Sequence, residues 1–500
     1  MKKILIFSAA LSTILFAKTI SFNEALNEAL NNNLELKAKK MKIDKAKAKL
    51  EEAKSYDWGK LIFSEEVSRT NNAMYVFGMK LESREATFRD FGFADFLGGV
   101  GQVLANSSDF KTFKSYMTDP TMANRLLNTA SKDLNYPGSR TNFKTKFVYE
   151  VPIFTGWKLT YAKKMAKLQV LANKFKYSQD KNKLGVEVLK AYNGAVAAKY
   201  FIKALQKAKE TTSTFVKVVK DFYSQGMATK TDLLQVEKRD KEIDAMLIEA
   251  KNKYALALSY LRFLTVDEYI SGVKDFKTLI PKNASLKTLQ KIALKNRGDL
   301  KWMHKNVETM QAKVKFEESA KYPMVGAHLE YGWNDNTPTL SSDKDYYLAA
   351  AGLKWNIFDK SIGAKIQQAK LSAIQTGYYY KYMKRGVLLD VEQKYLNYKA
   401  KKAIVKEKIA NKELAEEILK KYEYMYKQGM VSMPILLMKE ADARKARAEL
   451  IKAKYDEAMA AAELKEAMGD LVNQVKSLQN KKMLYRIDLN SLEKLLKESK

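Results

Sequence analysis

Residues 222–234 read FYSQGMATKTDLL, and residues 425–437 read MYKQGMVSMPILL. Tyr, Gln, Gly, Met, Leu and Leu recur in the same order in two places that share no catalytic residue set. Helical periodicity flanks both phrases. Residues 157–225 contain no Pro and would make about 100 Å of helix at 1.5 Å per residue. Residues 229–264 predict a second helix. Gly226 suits the left-handed position that ends a helix, and Thr229 with Asp232 three residues on resembles a capping box. In the second phrase Gly429 ends a helix that begins near 361. Ser432 caps the next helix, 433–477, and Pro434 falls in its first turn, where no backbone donor is needed. The two phrases therefore predict equivalent turns of two long antiparallel helix pairs.

The duplication extends outward. ALNNNLELKA (29–38) echoes ALKNRGDLKW (293–302), KLEEAKSY (49–56) echoes KFEESAKY (315–322), and VPIFTG (151–156) echoes WNIFDK (355–360). Each half reads helix, strands, long helix, tip, helix. Residues 21–55 read as one helix with Ser21 as its N-cap. The expected organisation is a signal peptide over 1–17, a first repeat over 18–264, a linking segment over 265–285, a second repeat over 286–477 and a C-terminal segment over 478–500.

Strands are expected where each half leaves its first helix. In NFKTKFVYEVPIF (142–154), Phe143, Phe147, Tyr149, Val151 and Ile153 share a face with Thr145, opposite Lys144, Lys146 and Glu150. In 324–334, Val325, Ala327, Leu329, Tyr331 and Trp333 lie opposite His328 and Glu330. Tyr347, Ala349, Ala351, Leu353, Trp355 and Ile357 form a third apolar face. A weaker fourth strand is expected within 60–81, carried by Tyr75, Phe77, Met79 and Leu81. Strands of about ten residues with one apolar face and aromatic ends fit a membrane β-barrel better than a soluble sandwich, since nothing else in the chain is left to cover that face. Four strands cannot close a barrel, and lipid does not tolerate open sheet edges. The chain must therefore oligomerise, two copies giving eight strands and three giving twelve.

Met1-Lys2-Lys3 followed by an apolar run from Ile4 to Phe16 and the small Ala17 reads as a secretory signal. No later stretch reaches about 18 uninterrupted apolar residues, so any membrane crossing falls to strands. The net charge is +32, but the lysines are spread along helical segments such as LKAKKMKIDKAKAKLEEAKS (36–55), mixed with acids. That is the pattern of a solvated helix face, and a nucleic-acid partner is not expected. With no Cys and two His, thiolate sites are excluded, and His304 and His328 read as solvated or channel-lining residues. No GxSxG, HExxH or GxxxxGK(S/T) occurs. Neither an enzyme nor a cofactor is expected.

A signal peptide, an ALxNNxEL-type first helix, a strand ending in PIFTG and two YxxGM tips together resemble the TolC-like outer-membrane efflux proteins, the outer membrane factor family. YVFGMKLESREATFRDFG (75–92) and LNYPGSRTNF (134–143) are similar to a subgroup with a long first surface loop. The resemblance implies a mainly α chain whose long antiparallel coiled-coil helices form an α-barrel, with four strands given to a trimeric twelve-stranded β-barrel. It implies a homotrimer in the outer membrane of a Gram-negative bacterium, embedded in outer-membrane lipid, with a long periplasmic part. Residues 265–285 and 478–500 would lie at its equator. Its partners would be a periplasmic adaptor and an inner-membrane transporter, and it would be a passive exit duct for efflux or type I secretion, gated at the tips. Gly226, Met227, Asp232, Gly429 and Met430 are then expected at the adaptor-facing tips. Tyr426, Ile435 and Met438 are expected at the entrance constriction, and Pro152, Gly156 and Asn356 at the strand-to-helix joints. Ile435 and Met438 stand where the family's best-known constriction carries aspartates, so an apolar constriction that gates by dewetting is expected. The alternative is a periplasmic coiled-coil adaptor or scaffold with no barrel.

Overall fold

The computed structural model describes residues 18–279, 281 and 284–472. The expected signal peptide (1–17), the C-terminal segment (478–500) and the last turn of the helix expected over 433–477 lie outside them. The chain divides into two compact units, one formed by residues 49–166 and 311–370 and the other by the rest.

The first unit is built on four antiparallel strands: β2 (Lys60–Thr70), β3 (Arg140–Phe154), β5 (Met324–Asp335) and β6 (Asp345–Lys354), in the order β2-β3-β5-β6. β2 and β6 are its edges. The register lines up Phe63, Phe147, Tyr331 and Tyr347 as one aromatic row across all four strands. Leu61, Tyr149, Leu329 and Ala349 form the next row. Cross-strand aromatic and aliphatic pairs of this kind pin register, because a one-residue slip would turn every side chain to the opposite face. The opposite face is polar: Lys60 pairs with Glu150 at 2.7 Å, Lys146 with Glu330 at 3.1 Å, and the Tyr346 hydroxyl donates to Glu330 at 2.7 Å. His328 sits on this polar face between Glu150 and Glu330.

The fourth strand is not where the apolar run placed it. β2 occupies 60–70, and Tyr75, Phe77, Met79 and Leu81 belong to a helix, α3 (Ala73–Glu82). Four further helices follow before β3: α4 (Phe93–Ala105), α5 (Phe110–Thr118), α6 (Pro120–Leu127) and α7 (Lys132–Asn135). The expected surface loop is thus a helical cap. Its sequence explains this, since side-chain oxygens of Asn72, Asp109, Asp119 and Ser131 each accept from a first-turn backbone N–H. Such caps stabilise short helices by about 1 kcal/mol each.

β3 also departs from strict alternation. A bulge between Pro152 and Phe154 shifts its pairing with β5, so that Phe154 pairs with Val325 while Ile153 is left out of the pairing and exposed. Phe154, Trp157 and Tyr322 then form an aromatic chain with edge-to-face contacts of 5.1 and 4.9 Å. Pro152 lies inside the strand rather than at its end. The turn itself falls to Gly156, whose φ is +59° and where a Cβ would sit 2.7 Å from the Ser319 carbonyl. Asn356 is exposed in the irregular link after β6.

The second unit is helical. The stretch expected as one helix is broken into α1 (Phe22–Asn32) and α2 (Leu34–Ser55) at extended Asn33. The echoing stretch breaks at the equivalent Arg297, between α10 (Leu286–Asn296) and α11 (Gly298–Glu318). A short parallel pair joins β1 (Lys18–Ile20) to β4 (Ile270–Val273). The long elements are α8 (Lys158–Ser224), α9 (Lys230–Thr265), α12 (Lys360–Lys427) and α13 (Met433–Ala467). Lys394, Lys401 and Lys408 of α12 pair with Glu463, Asp456 and Glu449 of α13 at 2.8, 3.0 and 3.0 Å. The spacing is seven residues on each helix, running in opposite directions. This is the flanking-charge pattern of an antiparallel coiled coil, and it gives many of the dispersed lysines a structural role. α13 ends at Ala467, where Gly469 (φ +68°) interrupts the helix expected over 433–477, and helical residues resume at Leu471.

Asn33 holds the α1–α2 break. Its amide donates to the Leu264 carbonyl at 3.1 Å, and its side-chain oxygen accepts from Leu36 N–H at 2.9 Å. Asn33→Ala removes a cap and strands a buried carbonyl, together worth about 1–3 kcal/mol. Thermal melting followed by circular dichroism should show a lower midpoint, whereas an unchanged midpoint would mean that the break is held by packing alone.

Candidate functional site at the hairpin tips

At the end of α8, Met227 N–H donates to the Phe222 carbonyl at 2.8 Å and Gly226 N–H to the Tyr223 carbonyl at 3.1 Å. At the end of α12, Met430 N–H donates to Met425 at 2.9 Å and Gly429 N–H to Tyr426 at 2.9 Å. Gly226 and Gly429 have φ of +74° and +67°. Both turns are therefore Schellman motifs, and the repeated Gln-Gly-Met is their signature. A Cβ at either glycine would meet no atom within 4 Å, so only the backbone conformation demands glycine there. Met227 and Met430 are exposed beside them.

The two turns restart their helices differently. Thr229 and Asp232 form a reciprocal capping box, with both backbone bonds at 3.1 Å. The Asp232 carboxylate is thereby engaged within its own turn. Ser432 occupies the N-cap position but its side chain makes no capping bond. The residue equivalent to Asp232 is Ile435, which cannot complete such a box.

The hairpins pack on one another through Phe215, Val219, Leu233 and Val236 from the first, and Leu419, Tyr426, Met433, Leu436 and Leu437 from the second. Tyr426 stacks on Phe222 with ring centres 6.1 Å apart and is 9% exposed. Ile435 and Met438, one turn apart on α13, are instead exposed at 39% and 50%. The three residues expected at one constriction thus divide, Tyr426 in the core between the hairpins and Ile435 with Met438 on an open apolar surface.

Sequence reasoning missed the charged groups just beyond this core. Lys209 of α8 bridges Asp240 and Asp244 of α9 at 2.7 and 2.6 Å, and Arg447 reaches Glu416 at 2.7 Å. Glu440 is 1% exposed, accepts from Arg444 at 3.3 Å, and has a second carboxylate oxygen with no partner. Burial pushes its carboxyl up from the usual range, although Arg444, Arg239 and Arg447 pull it down. The signal that could have found it is an acid at an apolar heptad position, two residues after Met438.

A raised carboxyl binds its proton more readily in the folded state than in the unfolded state. Its contribution is most favourable below the unfolded carboxylate value, about pH 4.3, and is lost as pH rises through the raised folded value. Glu440→Gln should therefore melt at a higher temperature than the parent at neutral pH, with the gap narrowing near pH 4. A gap that widens on acidification would mean that Glu440 is held ionised by its arginines.

Residues 289–470 match the family model described as outer membrane efflux protein. None of the curated proteins matches the sequence. By fold the chain is similar to the Campylobacter jejuni CmeC outer membrane channel, with 15% identity, 91% of this chain and 88% of that one covered, and a TM-score of 0.70. It is also similar to CusC, whose structures concern folding and transmembrane channel formation (13%, 91% and 93%, 0.69). The outer membrane protein VceC from Vibrio cholerae is a third (12%, 90% and 96%, 0.68). The chain carries the outer membrane efflux protein domain over residues 289–470 and, across about nine-tenths of its length, the fold of the TolC-like outer-membrane channels it resembles.

Proposed function

We propose that three copies of this chain form an outer-membrane channel-tunnel, the passive exit duct of a tripartite efflux or type I secretion system. The observation that carries the reading is the inverted sheet. Leu61, Phe63, Val67, Phe147, Leu329, Tyr331, Tyr347 and Leu353 share one face and are each at least 41% exposed, while the polar face carries the ion pairs. A contiguous exposed apolar face of this kind, bordered by aromatic rings, suits outer-membrane lipid. A periplasmic scaffold without a barrel would leave it in water. The unpaired edges β2 and β6 find partners in neighbouring copies, and three copies give twelve strands around a lumen lined by the polar face.

In this reading the long hairpins belong to the periplasmic part, with residues 265–279 at the tunnel's equator. Gly226, Met227, Gly429 and Met430 form turns that meet a periplasmic adaptor, and an inner-membrane transporter supplies energy. Asp232 shapes the first turn. Tyr426 ties the two hairpins together, and Ile435 with Met438 narrows the entrance as an apolar ring. No step is catalytic.

The test is a charge placed in lipid. Phe147→Lys with Tyr149→Lys adds two charges to the apolar face of β3, each costing about 2–4 kcal/mol near the bilayer midplane. The variant should be lost from the outer-membrane fraction. Insertion at the parent level would exclude a lipid-facing role for this face.

A further inference from the structure

The helical cap, residues 71–139, has no part in the duct as described so far. It joins β2 to β3 at the strand ends opposite those that meet α2 and α8, so in the channel reading it lies at the outer mouth. Its docking site is the polar face of the sheet. Glu82, at the end of α3, accepts from the Asn334 side chain at 2.6 Å and from Lys144 at 3.2 Å. Arg140 donates to the Ser83 hydroxyl at 2.8 Å and to Glu85 at 2.6 Å. Lys344 donates to the Ser83 carbonyl at 2.8 Å and to Glu85 at 3.0 Å. Ser83 and Asn334 are wholly buried by this contact region, and Asn142 is 4% exposed.

Arg84 adds a second observation. Its φ is +56°, a left-handed conformation that disfavours a residue with a Cβ. In that conformation its guanidinium donates to the Asp343 carbonyl of the β5–β6 turn at 3.0 Å and to the Asp345 carbonyl at the start of β6 at 2.7 Å. The strained residue is therefore one that fastens the cap to the sheet. The rest of the cap is braced to this segment. Asp90 pairs with Lys80, Arg89 with Asp133 at 2.9 Å, and the Lys132 N–H donates to Asp95 at 2.8 Å.

We infer that α3 and the segment after it form an exit gate, docked by Glu82 and Glu85 onto the cationic outer rim of the channel-facing strand surface. This rests on the channel reading above, because only there is the polar face a lumen. The lock is electrostatic: two carboxylates on the cap engage Arg140, Lys144 and Lys344. The Lys144–Glu82 pair is partly exposed and sensitive to salt, whereas Arg140 and Lys344 are mostly buried against Glu85, so removing the carboxylates strands two cations and undocks the cap. Reversing the two carboxylates converts attraction into repulsion without touching the strands.

The experiment reads lumen access from outside the cell. The chain has no Cys, so Lys146→Cys places a single thiol on the channel-facing side of β3, six residues or about 20 Å inward from Arg140. Intact cells are treated with a small membrane-impermeant maleimide. Labelling should be slow with the native cap and at least about tenfold faster when Glu82→Lys and Glu85→Lys are added, a shift of the size expected when a docked state loses its majority. Glu82→Gln with Glu85→Gln gives the same comparison, with a smaller rise, should the reversal prevent assembly. Equal labelling with native and altered caps, both fast, would overturn the gate and leave the duct standing. A thiol that stays unlabelled from outside in every variant, yet reacts in detergent, would overturn the duct reading and the gate with it.

Discussion

A bilayer offers no hydrogen bonds to an open sheet edge, and this constraint governs the proposed assembly. The sheet carries an exposed apolar face and an opposite face that holds the Lys60–Glu150 and Lys146–Glu330 pairs, which the proposed barrel would turn outward and inward respectively. Such a sheet is stable in lipid only if the N–H and C=O groups of β2 and β6 are paired. Within one chain they are not, so in the proposed assembly closure and oligomerisation would be the same event. The aromatic row from Phe63 to Tyr347 then serves twice. It fixes register within the chain, and it ends at the two edges where the neighbouring copies would continue it.

The helical unit solves a different problem, that of keeping long, lysine-rich hairpins paired along their length. The heptad ladder from Lys394–Glu463 to Lys408–Glu449 sets the direction and register of α12 against α13. Each pair contributes little on its own at the surface, so the value of the ladder lies in specificity more than in stability. Near the tips the ladder gives way to a packed core around Tyr426 and to the buried, partly unsatisfied Glu440.

Much of the fold was legible because it rests on period and on turn chemistry. The Gln-Gly-Met turns, the capping box at Thr229 and the strands β3, β5 and β6 all follow from spacing. β2 was misplaced because Glu65, Glu66 and the serines of KLIFSEEVSRT blur its alternation, while the helix that follows it is apolar on most sides. Glu65 falls on the apolar face and finds the Thr145 hydroxyl across the strand pair, a compensation that only the register reveals. The cap's N-cap residues were visible in the sequence, but their helices are short and carry no long period. The separation of Tyr426 from Ile435 and Met438 depends on how two hairpins pack, and no local pattern encodes that.

The account turns on whether one chain completes its barrel with others. The most direct measurement is the detergent-subtracted mass, by light scattering, of the full-length protein extracted from the outer-membrane fraction. Three chains per particle is the predicted result, since three sets of four strands close a barrel with a lumen. A single chain that washes off the membrane would contradict the account, because its apolar face and both sheet edges would then have to be satisfied in water.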